Sequence, residues 1–479
     1  MTTLNTGNQH MNRSSGGRAF GARLTLVAAV LLLPLTGCTS LIDDLVGVKL
    51  RDQILPTALE TAEGAKALYN GAINNISVSF SGNNGGTEGI STTGGTMADE
   101  WFHSGTFSTR ESYDRRGEDV FNGTVGGIFR ALHNARQAAI RAHTALALLP
   151  TASTDSRVAE MKAIEGFTFI LGAETFCNGA PFADIDGSTI TGGAPITNAE
   201  AFNQAITRLD AALAGAPGTN NNINNLARIL KARALMNLGK TRFNEAAALV
   251  ASVPTTYKYL AYHSASGNRN GIFVFNTQNE RFSLSHNEGT NGLPFRGSSA
   301  DGSNPALADP RIPFQRDPGN GWGFDGVGRY PQWNVRKWIT FDDEVVMVSG
   351  VEARLMEAEA LLASGGDWLG KLNTLRQTVT GLAPLVDPGT AIARENMVFS
   401  EKGFWLFGEA HRLGDLRRLI RQYGRNQASV FPVGAYHKGG TYASDVNFPI
   451  NDVELNNKEY AAAKEAGLLN VRGCLDDGA

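Results

Sequence analysis

Cysteine is scarce in this 479-residue chain: there are three, and no pair stands at the close spacing of a zinc site or a CxxC redox motif. The eight histidines are scattered, with no HExxH, and no Gly-rich phosphate loop, GxSxG elbow or GxGxxG fingerprint occurs. Neither sign of charge dominates, with 43 basic and 46 acidic residues, which argues against a nucleic-acid partner. Charged residues make up only 19% against 42% hydrophobic ones, so the chain is too apolar for a disordered protein. Neither the apolar residues nor the 55 glycines keep a short period, which excludes coiled coil and collagen. What remains is a folded chain with many glycines and 17 prolines, hence long irregular loops around a regular core.

Only one long apolar run is present, Leu24 to Leu35, and it follows a stretch that holds Arg13, Arg18 and Arg23 but no acid. A basic flank, a short apolar run and then Leu35-Thr36-Gly37-Cys38 reads as a lipoprotein signal, residues 1–37, cut ahead of Cys38. Removing it takes away three arginines and shifts the net charge from −3 to −6, unsuited to electrostatic binding of anionic lipid. Attachment is expected through acyl chains on Cys38, each buried CH₂ contributing about 0.8 kcal/mol. Cys177 and Cys474 are then left, and in an oxidising compartment they are expected to pair. Closing so long a loop is worth about 5 kcal/mol in the chain-entropy account.

After a tether over 38–55, apolar spacing predicts helices over Ala58–Ile76, residues 120–149, Ser156–Thr175, Ala199–Ala214, Ile223–Leu238, Arg242–Ala251 and Ala391 to about Arg425. The Gly/Ser/Thr stretch Ser81–Thr96 reads as loop. Ala232 through Gly239, Phe243 and Ala246 looks like a tetratricopeptide helix pair, in which glycine turns the chain and an aromatic wedges against alanine. Ala358 through Gly365, Gly366 and Trp368 suggests a second. The expected fold is mainly α: an αα-superhelical scaffold over about 56–256 and 350–425, within a single domain over 56–479. Residues 257–349 change character, with β-prone Tyr257–Tyr262 and Ile272–Phe275 among Gly, Asn, Pro and aromatics; such a segment is usually functional.

No catalytic centre emerges. Asp99-Glu100 and Asp342-Asp343-Glu344 read better as turns or caps than as halves of a glycosidase site, and Asp317 to Asp325 better as a Gly/Asn turn than as a calcium loop. Neither metal nor cofactor is expected.

The stretch Glu401-Lys402-Gly403-Phe404 through Glu409, Arg412, Asp415, Leu416 and Arg418 resembles the C-terminal signature of the SusD/RagB family. On one helix, Glu409, Arg412, Asp415 and Arg418 would form a charge ladder at steps of three, a scaffold feature. Other stretches agree in order: Glu160 through Phe169 then Gly179-Ala180-Pro181-Phe182, Pro195 to Glu200, Asp309-Pro310-Arg311, Glu357 and Glu359 with Leu372 to Arg376, and Phe448-Pro449-Ile450-Asn451. Ala410 stands where the family usually has Gly, and Asn451 where it has Pro.

The resemblance implies a tetratricopeptide-like SusD fold. It also implies a lipoprotein on the outer face of the outer membrane that binds glycan or peptide and passes it to a SusC-type TonB-dependent β-barrel. Trp101, Arg110, Tyr113, Trp322, Tyr330 and Trp333 are the expected ligand-facing residues, from composition and loop placement. The alternatives are a tetratricopeptide-type lipoprotein that scaffolds protein complexes, and a surface glycosidase.

Overall fold

The computed structural model describes residues 61–479 except 85, 187–188, 216–219, 299–306 and 323–327, and no side chain within 185–190 or 318–329. The signal, Cys38 and the tether thus lie outside the described residues.

Several helices begin where the sequence supplies a capping side chain, and some end at glycine. Helix α1 (Ala62–Ser81) starts at Thr61, whose hydroxyl accepts from Gly64 N–H, and stops at Gly82 with φ +78°. Then come α2 (Ile90–Ala98), α3 (Ser108–Asp114), α4 (Gly123–Ala147) and α5 (Ser156–Thr175). They are followed by α6 (Asn198–Gly215), α7 (Asn221–Leu238) and α8 (Phe243–Val250). Beyond the irregular region stand α9 (Gly350–Ser364), α10 (Trp368–Arg376), α11 (Ala391–Trp405), α12 (Arg412–Tyr423) and α13 (Lys458–Glu465).

These helices stack in chain order, α4 on α1, α5 on α4, and so on through α6, α7, α8, α9 and α10, with α11 also on α9. This is the αα-scaffold expected from repeat spacing, because each hairpin buries its apolar stripe against the next. In the α7–α8 pair Gly239 turns at φ +135°, while Phe243 and Ala246 are buried between the helices. The α9–α10 pair repeats the plan: Gly365 caps α9 in the left-handed region, Asp367 caps α10, and Trp368 joins Leu355, Ala358 and Leu372 in a second apolar cluster.

Three local expectations are corrected. The Gly/Ser/Thr stretch is not all loop: α2 occupies Ile90–Ala98 and is buried all round. Thr93 and Thr96 hydroxyls donate to the carbonyls of Gly89 and Thr92, so these two are satisfied inside the helix. Gly94 and Gly95 admit Leu413 and Trp101 at close range; tertiary packing overrides poor helix propensity. Ile272–Phe275 is not strand but a helical turn, Gly271–Gln278, started by Asn270 accepting from Phe273 N–H. The helical region from Ala391 breaks in two, because Gly408 and Ala410 take φ of +71° and +55°.

Strand pairs are all two-stranded. Strand β1 (Trp101–His103) pairs antiparallel with β3 (Phe282–Leu284), and β4 (Phe314–Trp322) forms a hairpin with β5 (Gly328–Val335). Strands β2 (Lys258–Ala261) and β6 (Val345–Ser349) pair antiparallel, so the irregular region leaves and re-enters the helical stack at one place. Cys177, just past α5, is bridged to Cys474, with Cα atoms 5.9 Å apart.

Candidate functional site

Two buried polar arrangements matter, one within the helical scaffold and one among the loops. The first is a seam through the scaffold, where the four predicted ladder residues lie. They do not run along one helix, because α12 begins only at Arg412 and the left-handed backbone at Gly408 and Ala410 turns Glu409 away from it. Each residue instead reaches another element. Glu409 takes Lys337 at 3.2 Å, and Arg412 forms a two-point pair with Asp99 at 2.5 and 2.8 Å. Asp415 pairs with Lys402, and Arg418 with Glu359, which also accepts from Tyr423 at 2.7 Å. Only the Asp415–Arg418 contact, 3.4 Å, follows the expected helical step. Burial alone would raise the Glu359 carboxyl, but Arg418 and Lys402 hold it at about 2. Every charge in this seam is buried and engaged, and its work is to join helices.

The second arrangement borders a cavity of about 590 Å³ between β1, β5, the 286–296 loop and the 433–442 loop. Phe102 enters it from β1 because strand side chains alternate: Trp101 and His103 turn into the core and Phe102 turns out. Trp333 comes from β5, with its N–H bonded to Ser283 Oγ and the Arg296 guanidinium 3.5 Å over its ring. Tyr330 lines the same wall. The fourth ring is His437, which meets Phe102 edge-on at 4.9 Å and Tyr330 edge-on at 5.3 Å. Glu288 and Tyr442 add oxygen atoms, the phenol donating to the carboxylate.

The loops are held close by backbone that a side chain would push apart. Gly289 sits at φ +56°, and a Cβ there would lie 2.7 Å from Val433 N and O. On the far side Gly434, Gly439 and Gly440 also have positive φ, letting the 434–442 loop fold on itself through Tyr436 N–H to Gly440 O and Tyr442 N–H to Gly434 O. Beneath it Tyr436 donates to Asp114 at 2.7 Å, and Lys438 meets His103 Nδ1 at 2.8 Å. Burial raises the Asp114 carboxyl to about 6. Burial alone would lower His437, yet the hydrogen bond to Glu288 and the charges of Asp114 and Glu288 raise it above the ordinary imidazole value.

Of the six expected ligand-facing residues, Tyr330 and Trp333 meet at this cavity. Trp101 does not: it is fully buried against Phe407, ring centroids 4.8 Å apart. Tyr113 is likewise buried, edge-on to Phe448. Arg110 is paired with Glu88, its guanidinium 4.5 Å over Phe107. Trp322 ends β4 opposite Gly328, and its side chain lies outside those described. Phe102, Glu288, Arg296, His437 and Tyr442 escaped the sequence reading. For Phe102 the signal was present, since in a three-residue strand WFH only alternate residues can share a face. No group of three or more His, Cys, Asp and Glu suited to a metal ion occurs among the described residues.

No protein-family model and no curated protein sequence matches the chain. Solved structures do match in fold. A SusD/RagB family protein from Bacteroides thetaiotaomicron is 14% identical, with a TM-score of 0.57 over 83% of this chain and 95% of that one. Surface glycan-binding protein A from Bacteroides uniformis, also 14% identical, gives 0.56 over 83% and 98%. A SusD-like carbohydrate-binding protein from Bacteroides vulgatus gives 0.53 at 14% identity, over 74% and 82%. At such identity the likeness concerns architecture: the chain has the mainly α, tetratricopeptide-like fold of the SusD superfamily structures.

Proposed function

We propose that the chain is a SusD/RagB-type nutrient-binding lipoprotein that captures a glycan or peptide and delivers it to a SusC-type TonB-dependent transporter. The observation that carries the binding half is the ring-lined cavity, set on loops outside the helical stack. Flat apolar faces cover the CH face of a sugar or the side chain of a peptide, while Glu288, Arg296 and His437 meet its polar groups. The fold shared with a carbohydrate-binding and a glycan-binding protein supports glycan as the first class to try. Binding rather than catalysis suits a site whose acidic groups are tied to a histidine and a phenol.

Lipid attachment at Cys38 rests on the signal pattern and would place the chain on the outer membrane. No helix among the described residues is long and apolar enough to cross a membrane, so acyl chains would carry the anchoring.

A glycan array followed by calorimetry tests the reading. Trp333→Ala and Phe102→Ala are each expected to weaken binding about 30-fold, as loss of a central aromatic contact does, while leaving the circular dichroism spectrum unchanged. Full affinity in both variants would remove the cavity from consideration. Recovery of a β-barrel receptor in a native-membrane pull-down tests the delivery half.

A further inference from the structure

The 434–442 loop forms one wall of the cavity through Ala435, His437 and Tyr442. Its internal hydrogen bonds close it on itself, so what docks it to the body is a set of four side chains. Tyr436 donates to Asp114, Tyr442 donates to Glu288, and Lys438 reaches His103 and the Gly105 carbonyl, both at 2.8 Å. His437 lies between the two acids, its Nδ1 3.4 Å from Glu288 and its Nε2 3.8 Å from Asp114.

Charge then decides how well the wall fits. Asp114 comes from α3 and Glu288 from the 286–296 loop, so two carboxylates from separate elements converge on one ring. The other groups facing the ring do not neutralise them both. Tyr330 of β5 and Tyr436 and Tyr442 of the loop itself offer neutral phenols, and β1 offers the His103 carbonyl at 3.4 Å from Nε2. Lys438 bonds His103 and Gly105, with Glu111 of α3 3.8 Å away, and its charge also favours the Asp114 carboxylate. An imidazolium places one positive charge between the two acids, its Nδ1 toward Glu288 and its Nε2, within reach of the His103 carbonyl, at ion-pair distance from Asp114.

We propose that His437 is a protonation-dependent pin: charged, it fastens the 434–442 loop as a wall of the cavity, and on losing its proton it lets that wall loosen and ligand capture weaken. The ligand part rests on the reading of this cavity as the binding site; the loop part does not.

The sign follows from linkage. His437 holds its proton more tightly in the docked loop, so the stabilisation is complete below the ordinary imidazole range and is lost as pH rises through the raised value. Asp114, raised to about 6 by burial, acts in the same direction. His103 acts oppositely: burial first, then Lys438, keeps it neutral, which favours the docked loop at higher pH. Lys438 of the loop meets this ring, so His103 opposes the His437 term on opening, and a variant at position 437 separates the two.

Hydrogen exchange on the full chain without ligand reads the pin directly. Amide protection of Tyr436, Gly439 and Tyr442, corrected for intrinsic rates, is compared at about pH 6 and about pH 8.5, either side of the histidine range. Protection is expected to fall about threefold or more at the higher pH, with α5 amides unchanged as the reference. In His437→Gln the pH dependence is expected to fall sharply, leaving only what Asp114 and His103 contribute, and in Glu288→Gln, which keeps the histidine, to shrink. Equal protection at both pH values in the natural chain, or an undiminished pH dependence in His437→Gln, would overturn the proposal. Failure to bind any glycan or peptide would instead sink the capture reading, and leaves the exchange result standing on its own.

Discussion

The seam and the cavity wall are built from the same ingredients, buried carboxylates facing cations, yet they use different cations. In the seam, Glu359 and Asp415 meet Lys402 and Arg418, a guanidinium that keeps its charge over any physiological pH. At the wall, Glu288 and Asp114 meet a histidine. The first choice locks helices from distant parts of the chain together, and the second leaves a loop whose grip varies with protonation. Permanent charge is spent where the fold must not open, and titratable charge where a mouth must.

Removing a partner from each side is the strongest way to break this comparison. Arg418→Ala leaves Glu359 buried with only Lys402 and Tyr423 to meet it, and is expected to lower unfolding free energy by about 3 kcal/mol in urea titration. His437→Gln, at a ring with a quarter of its side chain exposed, is expected to lower it by less than about 1 kcal/mol. Similar losses at the two sites would erase the distinction.

Much of the scaffold was legible in the sequence because its signals are local. Ser156 and Thr175 bound α5 as predicted, and Gly239 with Phe243 marked a helix hairpin in the sequence alone. Helix α2 was illegible, since Ser, Thr and Gly are poor helix formers and only burial among Trp101, Leu413 and Glu100 explains it. At the cavity, rings from 330–333 were anticipated, but Trp101 was preferred to Phe102. Aromatic content shows that a strand is apolar, whereas which of its faces looks out depends on the Trp101–Leu284 register. The 433–442 wall went unread because its glycines look like any loose tail until Val433 closes against Gly289.

The comparison sharpens at Glu100, which lies at the seam's edge but has no cation bonded to it. Burial raises its carboxyl to about 8 against an ordinary 4.5, despite the bond from Gly408 N–H. A carboxyl raised on folding contributes most below its ordinary value, and that contribution is lost as pH rises toward about 8. The stability of the natural chain is therefore expected to decline across this window relative to Glu100→Gln, measured by thermal unfolding at stepped pH. Parallel curves would show that Glu100 is ionised and matched like its seam neighbours.

The smallest effect is expected at the break between α11 and α12. Ala410 sits at φ +55°, where the family usually has Gly, and its carbonyl accepts from Arg233 at 2.6 Å. Ala410→Gly is expected to raise stability by up to about 1 kcal/mol, by relieving left-handed strain. No gain in urea midpoint would mean that the Arg233 contact already absorbs it.

The Cys177–Cys474 bridge spans 297 positions, and the whole irregular region falls inside that span. A protease reaching the exposed segments between these cysteines would sever the backbone without severing the molecule. Both fragments would stay joined until a reductant arrived, so a single nick in that span would not release either half of the fold.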